Sequence, residues 1–190
     1  MMERRVLQAS AVSRRTRSLH SRRGFTLVEL AVVVTIVGVL AVIAVVGYRR
    51  YMLNSKITEA QSVIGAIKIA QEDHRAERGI YANLGTNYCP SGAGVSDRKF
   101  SWDPTCSGGA AAWTTLPVHV AGAVQFSYAT VAGTTAFTAP PNTGWIAWNN
   151  PTAPMWYVAM ARCDLDPGGE VTMLVGSSFD NAIFTNNAGE

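Results

Sequence analysis

One carboxylate, Glu29, lies five residues into a run from Phe25 to Gly47 that holds no other charged side chain. On membrane-insertion scales a charge there costs about 2.5–3.5 kcal/mol. The chemistry open to a carboxylate in such a setting is pairing with a cation. A residue kept at that cost points to a partner, so the question is what pairs with Glu29. Just upstream, Arg22, Arg23 and Gly24 form a basic border to the apolar segment.

The other residues with chemistry to offer lie well downstream. Cys89, Cys106 and Cys163 all follow residue 79. In an oxidising compartment one pair bridges and one cysteine is left over. Cys89 with Cys106 closes the shorter loop and is the preferred pair, with the other two pairings left open. No two of the three sit at the close spacing usual for zinc. Asp164, Asp166 and Glu170 cluster oxygen ligands in one turn and raise calcium as a candidate. That turn lacks the spacing of an EF-hand loop, and a solvated acidic turn is the plainer reading. His20, His74 and His119 stand apart from one another. There is no nucleophile elbow, no HExxH and no phosphate loop, so the chain does not read as an enzyme and no cofactor is expected.

The formal net charge of +3 conceals an asymmetry. Residues 1–24 hold seven arginines against Glu3 alone, a balance of +6, while the rest hold nine Lys/Arg against twelve Asp/Glu, a balance of −3. A basic flank before an apolar run is a topology signal: the arginines stay cytoplasmic and everything after Gly47 lies across the membrane. No aromatic residue is interleaved with these arginines, which argues against a nucleic-acid arm. The 23 residues from Phe25 to Gly47 make about 34 Å of helix, enough to span a bilayer core. A secretory signal cut after Val42-Ile43-Ala44 is the contrary reading. Its apolar core would be unusually long, and Glu29 would have no purpose.

Residues 48–53, with Tyr48, Arg49, Arg50 and Tyr51, have the composition of a membrane edge. Beyond them Ile57, Ala60, Ile64, Ile67 and Ala70 recur at three- and four-residue steps, with Val63 beside them. No proline falls between Phe25 and Arg78, and Gly79 reads as a C-terminal stop. The spacing predicts one helix over 25–78, near 80 Å long. The alternative is a break near Gly47, where glycine costs about 1 kcal/mol relative to alanine. The stripe needs a local surface, most simply the segment that follows, where all five tryptophans lie beyond residue 100. Residues 82–115 read as loop. Strands are expected around 124–129 and 155–162, and residues 171–175 return from the turn 164–170 as a hairpin. The expected fold class is α+β: one long N-terminal helix, half apolar and half amphipathic, packed on a small antiparallel sheet of about four strands.

The residues Arg23-Gly24-Phe25-Thr26-Leu27-Val28-Glu29-Leu30 resemble the N-terminal junction of the type IV pilin family, which includes the pseudopilins of type II secretion. The resemblance is specific from Arg22 to about Arg78. It implies a leader peptide at 1–24 and a long helix at 25–78, with 25–47 as membrane span and filament core. Residues 79–190 would form a globular head. It implies cleavage between Gly24 and Phe25 by a prepilin peptidase, N-methylation of Phe25, and Glu29 as the acid that neutralises the N-terminal amine of a neighbouring subunit. Tyr48 and Tyr51 match the tyrosines that follow the family's membrane segment. Two departures stand out: a leader longer than is usual before Phe, and Val46 where many pilins carry proline. The implied partners are other pilin subunits, the peptidase, the inner-membrane assembly platform and the membrane itself. The head would lie first in the periplasm and then on the pilus at the cell surface. The function expected is that of a structural subunit of a type IV pilus, major or minor. A type II secretion pseudopilin is the alternative, and a signal-anchored extracytoplasmic binding domain is the alternative of another class.

Overall fold

The computed structural model describes residues 24–91, 98–106, 109–148, 153–165 and 170–188. The chain divides into two units, Met1–Ile43 and Ala44–Glu190. A single helix, α1 (Leu27–Arg78), supplies nearly all the described part of the first unit and opens the second. With no proline in it, nothing interrupts the backbone hydrogen-bond ladder. It ends where Gly79 takes a φ of 77°, a left-handed conformation that glycine adopts without a Cβ penalty. The Gly79 amide donates to Arg75 O at 2.8 Å, closing the last turn.

In the first unit α1 is apolar on every side, and its large side chains from Leu27 to Ile43 are exposed. It is long and apolar enough to cross a membrane. In the second unit the same helix becomes one-sided. Ile57, Ala60, Val63, Ile64, Ile67 and Ala70 are buried, so the predicted stripe is the face that packs.

The stripe rests on a five-stranded antiparallel sheet of order β1-β4-β5-β6-β7, with a separate two-stranded ribbon, β2-β3. The strands are β1 (Gly85–Cys89), β2 (Phe100–Ser101), β3 (Ala123–Val124), β4 (Ser127–Gly133), β5 (Trp156–Cys163), β6 (Thr172–Ser177) and β7 (Ile183–Asn186). The α+β expectation holds, and the hairpin is β5–β6. The sheet has one strand more than expected, and part of the predicted loop 82–115 is strand. Both unforeseen members of the main sheet, β1 and β7, are short edge strands without period-2 alternation.

Alternate residues of the central strands face opposite ways. Tyr128, Ala159, Ala161 and Leu174 join the helix stripe in one core. Ala129, Val158, Met160 and Val175 form a second core under Phe137, Ile146 and Trp148 from the segment after β4. Strands covered on both faces read as continuous apolar runs, which is why residues 156–161 are buried without a gap. Helix and sheet approach closely at Gly176, where an added Cβ would meet Ile64 Cγ2 at 2.8 Å.

Cys89 and Cys106 form a disulfide with Cα atoms 6.0 Å apart and a separation of 17 positions in sequence. It ties the end of β1 to the loop that leads to the buried Trp113. Closing a loop of that size stabilises by about 3 kcal/mol in the chain-entropy account. Cys106→Ser should therefore lower the urea midpoint of the full chain in detergent, and reductant should then have no further effect. An unchanged midpoint would show that the bridge adds nothing to stability.

Candidate functional site: the N-terminal segment

Gly24 and Phe25 precede α1 and are exposed, Phe25 at 83%. The first turn is then closed by two side chains that answer each other. The Glu29 amide donates to Thr26 Oγ1 at 3.2 Å, and the Thr26 amide donates to Glu29 Oε2 at 3.3 Å. The Thr26 hydroxyl also donates to Glu29 Oε2 at 3.2 Å. This is a reciprocal cap of the Thr-x-x-Glu type, which satisfies amides that a helix start leaves unpaired. The negative carboxylate also suits the positive end of the helix dipole.

Two properties of Glu29 follow. Within its own chain the carboxylate is a cap, already oriented at the helix start. Both bonds that the carboxylate accepts use Oε2, so Oε1 lies outside the cap and can accept from a cation brought to the same end. Charge and cap are separable, because glutamine serves the cap as well as glutamate. Thr26 escaped the sequence reading, although Thr-x-x-Glu before an apolar run is a recognisable signal.

The family described as Prokaryotic N-terminal methylation motif matches residues 19–45. Fimbrial protein EcpC of Eikenella corrodens is 37% identical over 60 residues, 32% of this chain and 39% of that protein. The type IV major pilin protein PilA of Myxococcus xanthus is 39% identical over 62 residues, 33% of this chain and 28% of PilA. In its N-terminal part the chain is similar to proteins of the type IV pilin family. A longer match, 33% over 103 residues, covers 54% of the chain and 60% of a probable minor fimbrial protein of Dichelobacter nodosus. The chain thus spans between about a quarter and three fifths of the length of these relatives. No solved structure matches the chain.

Gly24, Phe25 and Glu29 all lie within the matched motif, while Arg22 and Arg23 lie outside the described residues. Tyr48 and Tyr51 are exposed on α1. The calcium candidate needs three acids together, and Asp166 lies outside the described residues. Of the other two, Glu170 accepts from Asn187 Nδ2 at 2.7 Å, and Asp164 has a buried Oδ1 without a hydrogen-bond partner among the described residues. His74 is buried, its Nδ1 2.9 Å from Ile80 O, where it helps hold the segment after α1. Perturbed groups in the second unit belong to its packing. Burial pushes the Tyr128 and Tyr157 hydroxyls well above the phenol range. Burial also lowers the Lys68 ammonium, which donates to Asp180 O at 2.9 Å.

Proposed function

We propose that this protein is a structural subunit of a type IV pilus filament. It is held in the inner membrane by the apolar half of α1 until it is assembled. Residues 1–24 are the leader, 25–78 the filament helix and 79–190 the outward head. Prepilin peptidase cuts between Gly24 and Phe25, and the new Phe25 amine is methylated. On assembly that amine meets Glu29 of a neighbouring copy. The observation that carries the proposal is a single carboxylate, fixed at the helix start, in a stretch of α1 that is otherwise apolar on every side as far as Ile43. A buried charge without a partner is strongly destabilising. The pair therefore favours a subunit docked at the right height on its neighbour. Contacts that repeat without closing generate a filament. Similarity to a major pilin and to a probable minor fimbrial protein alike supports a filament subunit, major or minor.

Two measurements test this. Mass spectrometry of the mature protein should find an N-terminus at Phe25 bearing one methyl group; an N-terminus at Val45 would replace the proposal with a secreted protein. Deleting the gene and scoring surface pili, twitching and exoprotein release should show a pilus defect. A defect confined to exoprotein release would assign the chain to type II secretion instead.

A further inference from the structure

The outer face of the main sheet carries a pocket of about 430 Å³, within the size range of small-ligand sites. Its floor is a row of directly paired residues on three neighbouring strands, Arg162 of β5, Met173 of β6 and Asn186 of β7. Arg162 also pairs with Ser127 of β4, and this small side chain leaves room for Tyr88 of β1 to reach the arginine. The guanidinium carbon sits 4.2 Å from the centre of the Tyr88 ring. Cys89, the next residue, is held by the disulfide. At the rim stand Asn142 and Trp145. The indole nitrogen donates to Asn142 O at 2.9 Å, which fixes the ring, yet Trp145 remains 38% exposed.

The chemistry of this lining is selective. Among the described residues its one charged side chain is a guanidinium and none that lines it is a carboxylate. Arg162 Nε is buried with no hydrogen-bond partner among the described residues, an arrangement that leaves a cationic donor in want of an acceptor. A guanidinium stacked on an aromatic ring is well suited to carboxylates. The half-exposed indole offers a flat apolar face, and Asn142 and Asn186 supply amide donors and acceptors for hydroxyl groups. We infer that this pocket binds an acidic saccharide, a pyranose that carries a carboxylate. The carboxylate pairs with Arg162, the C–H face of the ring lies against Trp145, and the hydroxyls meet the two asparagines. The site would give the head a surface ligand, which goes beyond a role in building a filament.

The test is titration of the full chain in detergent micelles, by calorimetry and tryptophan fluorescence, with sodium glucuronate, trigalacturonate, glucose and sodium acetate at matched ionic strength. Either uronate should bind saturably and at least about tenfold more tightly than glucose or acetate, the worth of one charge-assisted contact. Arg162→Gln should weaken uronate binding by about tenfold or more. Trp145→Ala should weaken uronate binding and leave the circular dichroism unchanged. Should Arg162→Gln misfold, Trp145→Ala and Asn142→Ala at the rim decide alone. Equal binding of glucose, acetate matching the uronates, no saturable binding, or affinity unchanged in the rim variants would each overturn the inference.

Discussion

Glu29→Gln should be cleaved and methylated like the parent chain, yet enter filaments at least about a hundredfold less well. The substitution separates two roles that the structure gives one side chain. Glutamine keeps the cap, because its side-chain oxygen can still accept from the Thr26 amide. What it loses is the negative charge. If the neighbouring amine is buried against this position, removing its counter-charge costs about 3–5 kcal/mol, two orders of magnitude or more in the docking equilibrium. Loss of the cap alone is worth about 1 kcal/mol. Glu29→Ala removes both and should be only slightly worse than Glu29→Gln. The measurement is the ratio of each variant to wild type in sheared filaments, with membrane levels as the reference. Were Glu29→Gln to assemble normally while Glu29→Ala failed, the residue would be a helix cap and the charge-pairing account would be wrong. Thr26→Val is the complementary control, since it disrupts the cap and leaves the charge. It should reduce incorporation only severalfold.

Glu29 was legible from sequence because a charge in an apolar run has no local explanation. Thr26 was not, although it belongs to a known pattern, because the apolar run around it dominated the reading. The helix stripe shows the same contrast. Ile57, Ala60, Ile64 and Ile67 are aliphatic and announce themselves at three- and four-residue steps. Gln71 and His74 continue those steps and are buried too, but their polarity hid them. In the sheet, β4 is covered on both faces along Tyr128–Thr130, so the alternation that begins at Val124 fades where the strand enters the core. β1 owes its place to pairing with β4 across some forty residues of sequence, a relation that no local spacing records. The same holds for the outer pocket. Tyr88, Trp145, Arg162 and Asn186 come from three strands and a loop, and only the sheet order brings them together.

Gln71→Leu should be among the most destabilising single changes in the second unit, although it exchanges a polar for an apolar core residue of similar size. Gln71 is fully buried. Its Nε2 donates to Ala82 O at 2.8 Å and to Thr130 Oγ1 at 3.0 Å, while its Oε1 accepts from the Ala82 amide at 2.8 Å. One side chain thus joins α1, the segment that turns back after Gly79, and β4. The same seam is held from outside by Tyr81, whose hydroxyl donates to Glu72 Oε1 and accepts from Arg75 Nη1, each at 3.0 Å. Leucine fills the space but leaves the Ala82 amide and carbonyl buried and unpaired, at about 1–3 kcal/mol for each group. A simple burial argument predicts the opposite sign, since leucine gains apolar contact. The penalty for two orphaned backbone groups exceeds that gain, so the polar residue is the stabilising one. Gln71→Glu should be no better: it keeps one acceptor, loses both donors and brings a carboxylate into the core. The urea midpoint of the full chain in detergent should fall for both variants, and exchange of the Ala82 amide should accelerate before the sheet opens. A Gln71→Leu chain as stable as the parent would mean that water reaches this seam, and that the stripe alone holds helix to sheet.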